Sequence, residues 1–188
     1  IQGETYKVIY PQQTDSLARR YLYLFEKYKH TNLVGLKIES PKMPIILHPY
    51  TTTSNATVVW APKRMEIFTS PPATGGYAQN WETQLALHEG RHLGQMQHYT
   101  KGVFSFFNIL FGEQSIALGI GFYPSVWLLE GDAVLNETDF SNAGRGRSGE
   151  FLMYYRTAFL QNDIRSYDHW RYGSYQYFAP NKYAFGYM

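Results

Sequence analysis

The sequence predicts an α+β fold: a small mixed sheet, then an active-site helix and a mostly helical C-terminal half. Three observations support this. The first 79 residues carry short runs of β-forming residues divided by polar turns. Residues 80–188 place apolar side chains at helical spacing. No segment repeats, and strands followed by helices argue for α+β rather than alternating β and α units. A chain of 188 residues fits a single domain with a sizeable core.

Thr5 to Tyr10 alternates like a strand. Thr14 or Asp15 can cap a helix to about Lys29, whose Leu17, Tyr21, Leu24, Phe25 and Tyr28 share one face. Three strands are expected at Ile45–Leu47, Thr57–Trp60 and Met65–Thr69. Asn80 can cap a helix from about Trp81 to Tyr99, with Glu82 in its first turn. One or two helices cover Val103 to Leu118, and Gly119 and Gly121 break the pattern. Further helices are expected near Ser125 to Asp139, from Glu150 to Gln161, and after Asn181. Ser141–Gly149 reads as a loop, and the aromatic stretch from Ser166 to Asn181 as irregular.

Composition narrows the function. Apolar residues make up 44% of the chain, which excludes a disordered composition. A net charge of +2 from scattered basic residues excludes a nucleic-acid partner. With no cysteine, a disulfide framework is impossible and any zinc site must use His and carboxylates. The stretch Val103–Leu129 is the most apolar, but its uncharged run is too short for a transmembrane segment, so it reads as buried core. The chain starts at Ile1 without a charged-then-apolar leader, as in a processed or excised piece of a longer exported protein.

His88-Glu89-Gly90-Arg91-His92 carries the chemistry. Two His at i and i+4 lie one turn apart on one helix face, so both imidazoles can reach a single Zn²⁺. Glu89 sits about 100° round the helix. From there it can reach a metal-activated water as general base without ligating the metal. A catalytic zinc needs a third protein ligand and an open position. No third His follows at short spacing, and neither Gln95 nor His98 fits that pattern. Trp127-Leu128-Leu129-Glu130-Gly131-Asp132-Ala133 comes later, and Glu137 shares a helix face with Glu130.

H-E-x-x-H followed by W-x-x-E-G-x-A resembles the gluzincins of the peptidase MA group, which include thermolysin-like and aminopeptidase-like enzymes. The resemblance covers roughly Met65 to Met188. It implies a zincin-like fold with one Zn²⁺ per chain, Glu130 as the third ligand, and a peptide or protein substrate. More loosely, the chain looks like peptidase-like segments at the front of larger exported bacterial proteins, some continuing into β-propeller repeats. That likeness implies further domains of a parent chain and a periplasmic, cell-surface or extracellular place.

The sequence departs from the family at several points. An apolar insert, about Gly102 to Pro124, separates His92 from Glu130. Val134 stands where the thermolysin branch has an acid, so the carboxylates that orient the His ligands must come from elsewhere. Glu137 is the first candidate and Asp132 the second, although Asp132 can instead pair with Arg91. In the aminopeptidase branch a Tyr in a Y-x-x-G helix stabilises the developing oxyanion. Tyr183-Ala184-Phe185-Gly186 resembles that motif, with Tyr187 and Tyr175 as alternatives. The same branch holds a substrate amine with the Glu of G-x-M-E-N, which Met65-Glu66 echoes. Glu66, Ile67 and Phe68 are thereby expected on an edge strand that pairs with extended substrate. The loop Gly144–Arg147 reads as solvated.

The expected function is zinc-dependent hydrolysis of peptide bonds, endo- or exopeptidase unresolved. The alternative is a weakly active pseudo-peptidase module that binds a protein or glycan within a larger exported protein. Glu89 argues for the enzyme, because a binder has no need of a base. A structural zinc domain is disfavoured by the open two-His, one-carboxylate set.

Overall fold

The computed structural model describes residues 1–73, 79–122, 125–173 and 181–188. Four strands, β1 (Tyr6–Ile9), β2 (Met43–His48), β3 (Ser54–Trp60) and β4 (Lys63–Thr69), form one sheet in the order β1-β2-β4-β3. β1 and β4 both run parallel to β2, and β3 returns antiparallel along β4. The helix α1 (Asp15–Tyr28) is the crossover between β1 and β2. The architecture is therefore mixed α+β, as the patterning predicts.

The sheet alternates as half-buried strands do. Met43, Ile45, Leu47, Met65 and Ile67 point into the core, where Tyr21 and Phe25 of α1 meet them. The opposite face carries Glu66 among Arg64, His48 and Phe68, with His48 stacked on Phe68 at 4.9 Å.

α2 (Trp81–His98) lies against α1 and β3 and buries Leu85, Ala86, Leu87 and Leu93. Burial of each large side chain there contributes about 2–3 kcal/mol. Asn80 starts this helix through its backbone carbonyl, without a side-chain cap bond. Gly90 is required where it stands, because an added Cβ would collide with the Asn32 side chain. Asn32 donates to the Ala86 carbonyl and accepts from Asn136, tying α2 to α5 (Val126–Asp139) through a buried amide pair.

The apolar insert departs from expectation. It forms two helices, α3 (Phe104–Phe111) and α4 (Ser115–Phe122), and α4 runs through Gly119 and Gly121. α3 buries no residue, so this half of the insert is exposed apolar surface rather than core. Among the described side chains of α4, Ile116 is buried in the core cluster and Ile120 packs against it.

α6 (Gly149–Leu160), α7 (Tyr167–Tyr172) and α8 (Lys182–Tyr187) build a second small core from Tyr155, Ala158, Trp170 and Ala184. α7 occupies part of the stretch expected to be irregular. Its start is capped by Ser166, whose side chain accepts from the His169 N–H. α8 crosses α5 at two glycines: a Cβ on Gly131 would fall on the Gly186 backbone, and one on Gly186 on the Trp127 carbonyl. That close approach brings Tyr183 over the middle of the molecule. No described helix is long and apolar enough to cross a membrane.

Candidate metal centre

α2 and α5 pack side by side, which sets His88 and His92 opposite Glu130. His88 Nε2 lies 3.3 Å from His92 Nε2 and 3.3 Å from Glu130 Oε2, and His92 Nε2 lies 3.2 Å from the same oxygen. Among the described residues this is the one grouping of His, Cys, Asp and Glu that could hold a metal ion. Its dimensions fit. Tetrahedral zinc with ligands at about 2.0–2.1 Å has ligand–ligand edges of about 3.3–3.4 Å. The three side chains are 7, 12 and 15% exposed, so the donors are withdrawn from water on all but one side.

The charges also draw a cation to this point. Burial disfavours the charged form of His92, but hydrogen bonding to Glu130 and the charges of Glu89 and Glu130 outweigh it and push its pKa up to about 9. Burial likewise works against the Glu130 carboxylate, yet bonds from His88 and His92 hold its pKa far below the usual range. Two imidazole nitrogens and a carboxylate oxygen at such spacing hold a proton between them or take a metal in its place.

The residues behind the histidines fix their orientation. Gln95 Nε2 donates to the Leu129 carbonyl at 3.0 Å and to Asp132 Oδ2 at 2.6 Å, which turns its Oε1 toward His92 Nδ1 at 2.8 Å. His92 Nδ1 therefore carries a proton toward Gln95, and the proton on Nε2 that the raised pKa implies is shared with Glu130 until a metal displaces it. His88 Nδ1 lies 3.3 Å from Glu137 Oε2 and 2.7 Å from Arg145 Nη2. Arg145 can only donate, so it competes at 2.7 Å for the Nδ1 lone pair, and the tautomer with Nδ1 protonated toward Glu137 is the one that would leave Nε2 to a metal. Glu137 is fully buried, and Arg145 holds it with Nε at 2.6 Å and Nη2 at 3.0 Å. Burial raises the Glu137 pKa, but the bonds from His88 and Arg145 prevail and keep it low.

Several expected roles need correction. Asp132 touches neither histidine. It pairs with Arg91 at 2.6 and 3.0 Å and steadies Gln95, so it acts one layer further out. Arg145 is not a solvated loop residue. Its side chain is 15% exposed and lies over the Tyr183 ring at 5.0 Å. β4 is not an edge strand, since β2 and β3 pair with its two sides. Ile67 is core, and Glu66 and Phe68 face away from the helices, with Glu66 bound to Arg64 at 2.5 Å and to His48 at 3.3 Å. Among the described residues the outer strand along the site is β3. Its Asn55, Ala56, Thr57 and Val58 line a cleft of about 240 Å³ that also contains His88, Glu89, His92, Glu130 and Tyr183.

Tyr183 stands over His88 with ring centroids 6.0 Å apart. Burial, then the Glu130 charge, pushes its pKa up, so the phenol stays protonated through neutral pH. Tyr187 instead packs against Gly146, outside the cleft lining. Tyr175 lies outside the described residues. Gln95 and Arg145 are the site residues that sequence reasoning missed. For Gln95 a signal exists: it stands at i+3 from His92, on the same helix face.

No protein-family model, curated protein or solved structure matches the chain.

Proposed function

We propose that the chain is a zinc peptidase of gluzincin type with a zincin-like fold. His88, His92 and Glu130 would hold the ion, and the 3.2–3.3 Å triangle of their donor atoms is the observation that carries the reading. Zinc bound there supplies a Lewis acid that makes water nucleophilic near neutral pH and polarises a carbonyl.

The chain's own residues supply the rest. Glu89 lines the cleft beside both histidines and is buried, as a general base screened from bulk water should be. It takes the proton of the attacking water and later gives it to the leaving amine. Tyr183 keeps its phenolic proton, so it can donate to the carbonyl oxygen as negative charge develops there. Among the described residues β3 is the outer strand along the cleft, which suits an extended peptide added as a further strand.

The test is a peptide-library digest with metal analysis. Wild type should carry about one zinc per chain. Glu89→Gln should keep that zinc and lose cleavage by a factor of at least about 100. A folded sample that binds no zinc refutes the metal centre, and cleavage that survives Glu89→Gln refutes the assignment of the base.

A further inference from the structure

The α3–α4 hairpin is the least expected part of the surface. Val103, Phe106, Ile109, Leu110 and Phe111 are 80, 62, 81, 58 and 55% exposed, and Phe107 is exposed beside them. At 100° per residue, the helical members of this set cover an arc of about 200°. A helix that docks in a protein groove carries an apolar stripe nearer 100° wide. α3 makes extensive contact only with α4 and the Gly112–Gln114 turn, so it stands out from the body. From Gly102 to Gly112 there is no charged residue, while Lys101 lies at one end and Glu113, 4.0 Å from Lys63, at the other.

A second cavity opens at the base of the hairpin. It measures about 590 Å³. Tyr99, Phe104, Leu128 and Leu129 give it apolar walls, Lys101 stands where the chamber meets the hairpin, and the Arg91–Asp132 ion pair and Gln95 form its polar part. A convex apolar helix beside a largely apolar chamber, with Lys101 where the two meet, fits bilayer lipid, with acyl chains round the helix and anionic headgroups against Lys101. A second copy of the chain fits poorly. A stable interface needs about 800 Å² from each partner, and two convex hairpins meeting face to face cover only part of each arc.

We infer that the α3–α4 hairpin inserts into the surface layer of an anionic lipid bilayer and docks the domain there. α3 is about 12 Å long, the reach of an interfacial element and far short of a span. Ile120 of α4 lines the cleft that holds Glu89 and Glu130, so docking sets that cleft at the bilayer surface. The attachment does not depend on the peptidase reading, and its test uses no activity.

The test is flotation of the 188-residue chain with vesicles of phosphatidylcholine, alone or mixed with phosphatidylglycerol. Wild type should float with the mixed vesicles. Ile109→Asp and Phe106→Asp should each lower the partition coefficient at least about tenfold, with thermal unfolding unchanged because both side chains are exposed. Leu160→Asp, equally exposed on α6, should bind like wild type. Lys101→Glu should weaken binding to the mixed vesicles about fivefold. Wild type that floats with neither composition, or Ile109→Asp that floats as well as wild type, overturns the inference. So does a wild-type dimer that Ile109→Asp splits, since the hairpin would then be covered by a second copy.

Discussion

Gln95 offers a sharp test of how the candidate metal centre is built. Replacing it with Leu keeps the volume but removes three interactions: Oε1 with His92 Nδ1 at 2.8 Å, and Nε2 with the Leu129 carbonyl at 3.0 Å and with Asp132 at 2.6 Å. Asp132 keeps Arg91 as a partner, so its loss is small. The His92 N–H is left unpaired in a buried place at about 1–3 kcal/mol, and the Leu129 carbonyl, still bonded within α5, loses its second donor at about 1 kcal/mol. Apo-protein stability should fall by about 2–4 kcal/mol, which for a chain of this size lowers the melting temperature by roughly 4–15 °C. Zinc affinity should fall about 10- to 100-fold, because the imidazole loses the acceptor that fixes its tautomer. Calorimetry of the apo form and competition against a chromophoric chelator read the two effects separately. Gln95→Glu divides them further. It restores an acceptor for His92 but sets a carboxylate against Asp132, so zinc affinity should stay close to wild type while the apo protein is weakened. Gln95→Leu with unchanged zinc affinity would refute the claim that this amide orients His92.

Other outcomes follow from particular contacts. Gly186→Ala drives a methyl group into the Trp127 carbonyl and should cost about 1–3 kcal/mol in thermal unfolding. Zinc content should hold while peptide cleavage falls, because Tyr183 moves with α8 and the ligands do not. Glu26→Gln probes the base of β1, where the carboxylate accepts from the Thr5 and Tyr6 N–H groups at 2.7 and 3.0 Å and pairs with Lys29 at 3.3 Å. Burial raises the Glu26 pKa, but these bonds prevail and lower it. A depressed folded-state pKa contributes stability that is present above the unfolded carboxyl pKa, near 4.3, and is lost as pH falls below it. Urea unfolding should therefore show wild type ahead of Glu26→Gln by about 1–2 kcal/mol at pH 7, and the gap should close toward pH 3.

The parts legible in the sequence are those that depend on local spacing. His88, Glu89 and His92 lie within five residues, so helix geometry alone brings both imidazoles to one face. Glu130 and Glu137, seven apart on α5, share a face for the same reason, and the structure sets Glu130 at the Nε2 atoms and Glu137 behind His88. Pairing between strands is not local. Strands β3 and β4 both read as β-formers, but which one is the edge is set by β2 inserting beside β4 after a crossover through α1. The expectation for Glu66, Ile67 and Phe68 failed at that step.

Arg145 shows the same division. In sequence it stands between two glycines in a polar loop, which favours solvent. In the fold a fully buried Glu137 needs a partner, and the turn at Arg145–Arg147 supplies one. The apolar insert is the converse case. Its composition suits a core, yet among the described residues the contacts of α3 with α4 bury none of its side chains, and apolar character by itself does not say which surface will cover it. The sequence by itself determined the α+β order and the helix that carries His88 and His92 on one face, because those follow from residue types and helical spacing. Only the tertiary structure decided that the donors close to a 3.2–3.3 Å triangle, that Gln95 and Arg145 brace it, that β3 borders the cleft and that α3 stands exposed. Most of these depend on segments far apart in the chain, where packing rather than propensity chooses the partner; Gln95 reaches His92 within its own helix but is aimed by Leu129 and Asp132 of α5.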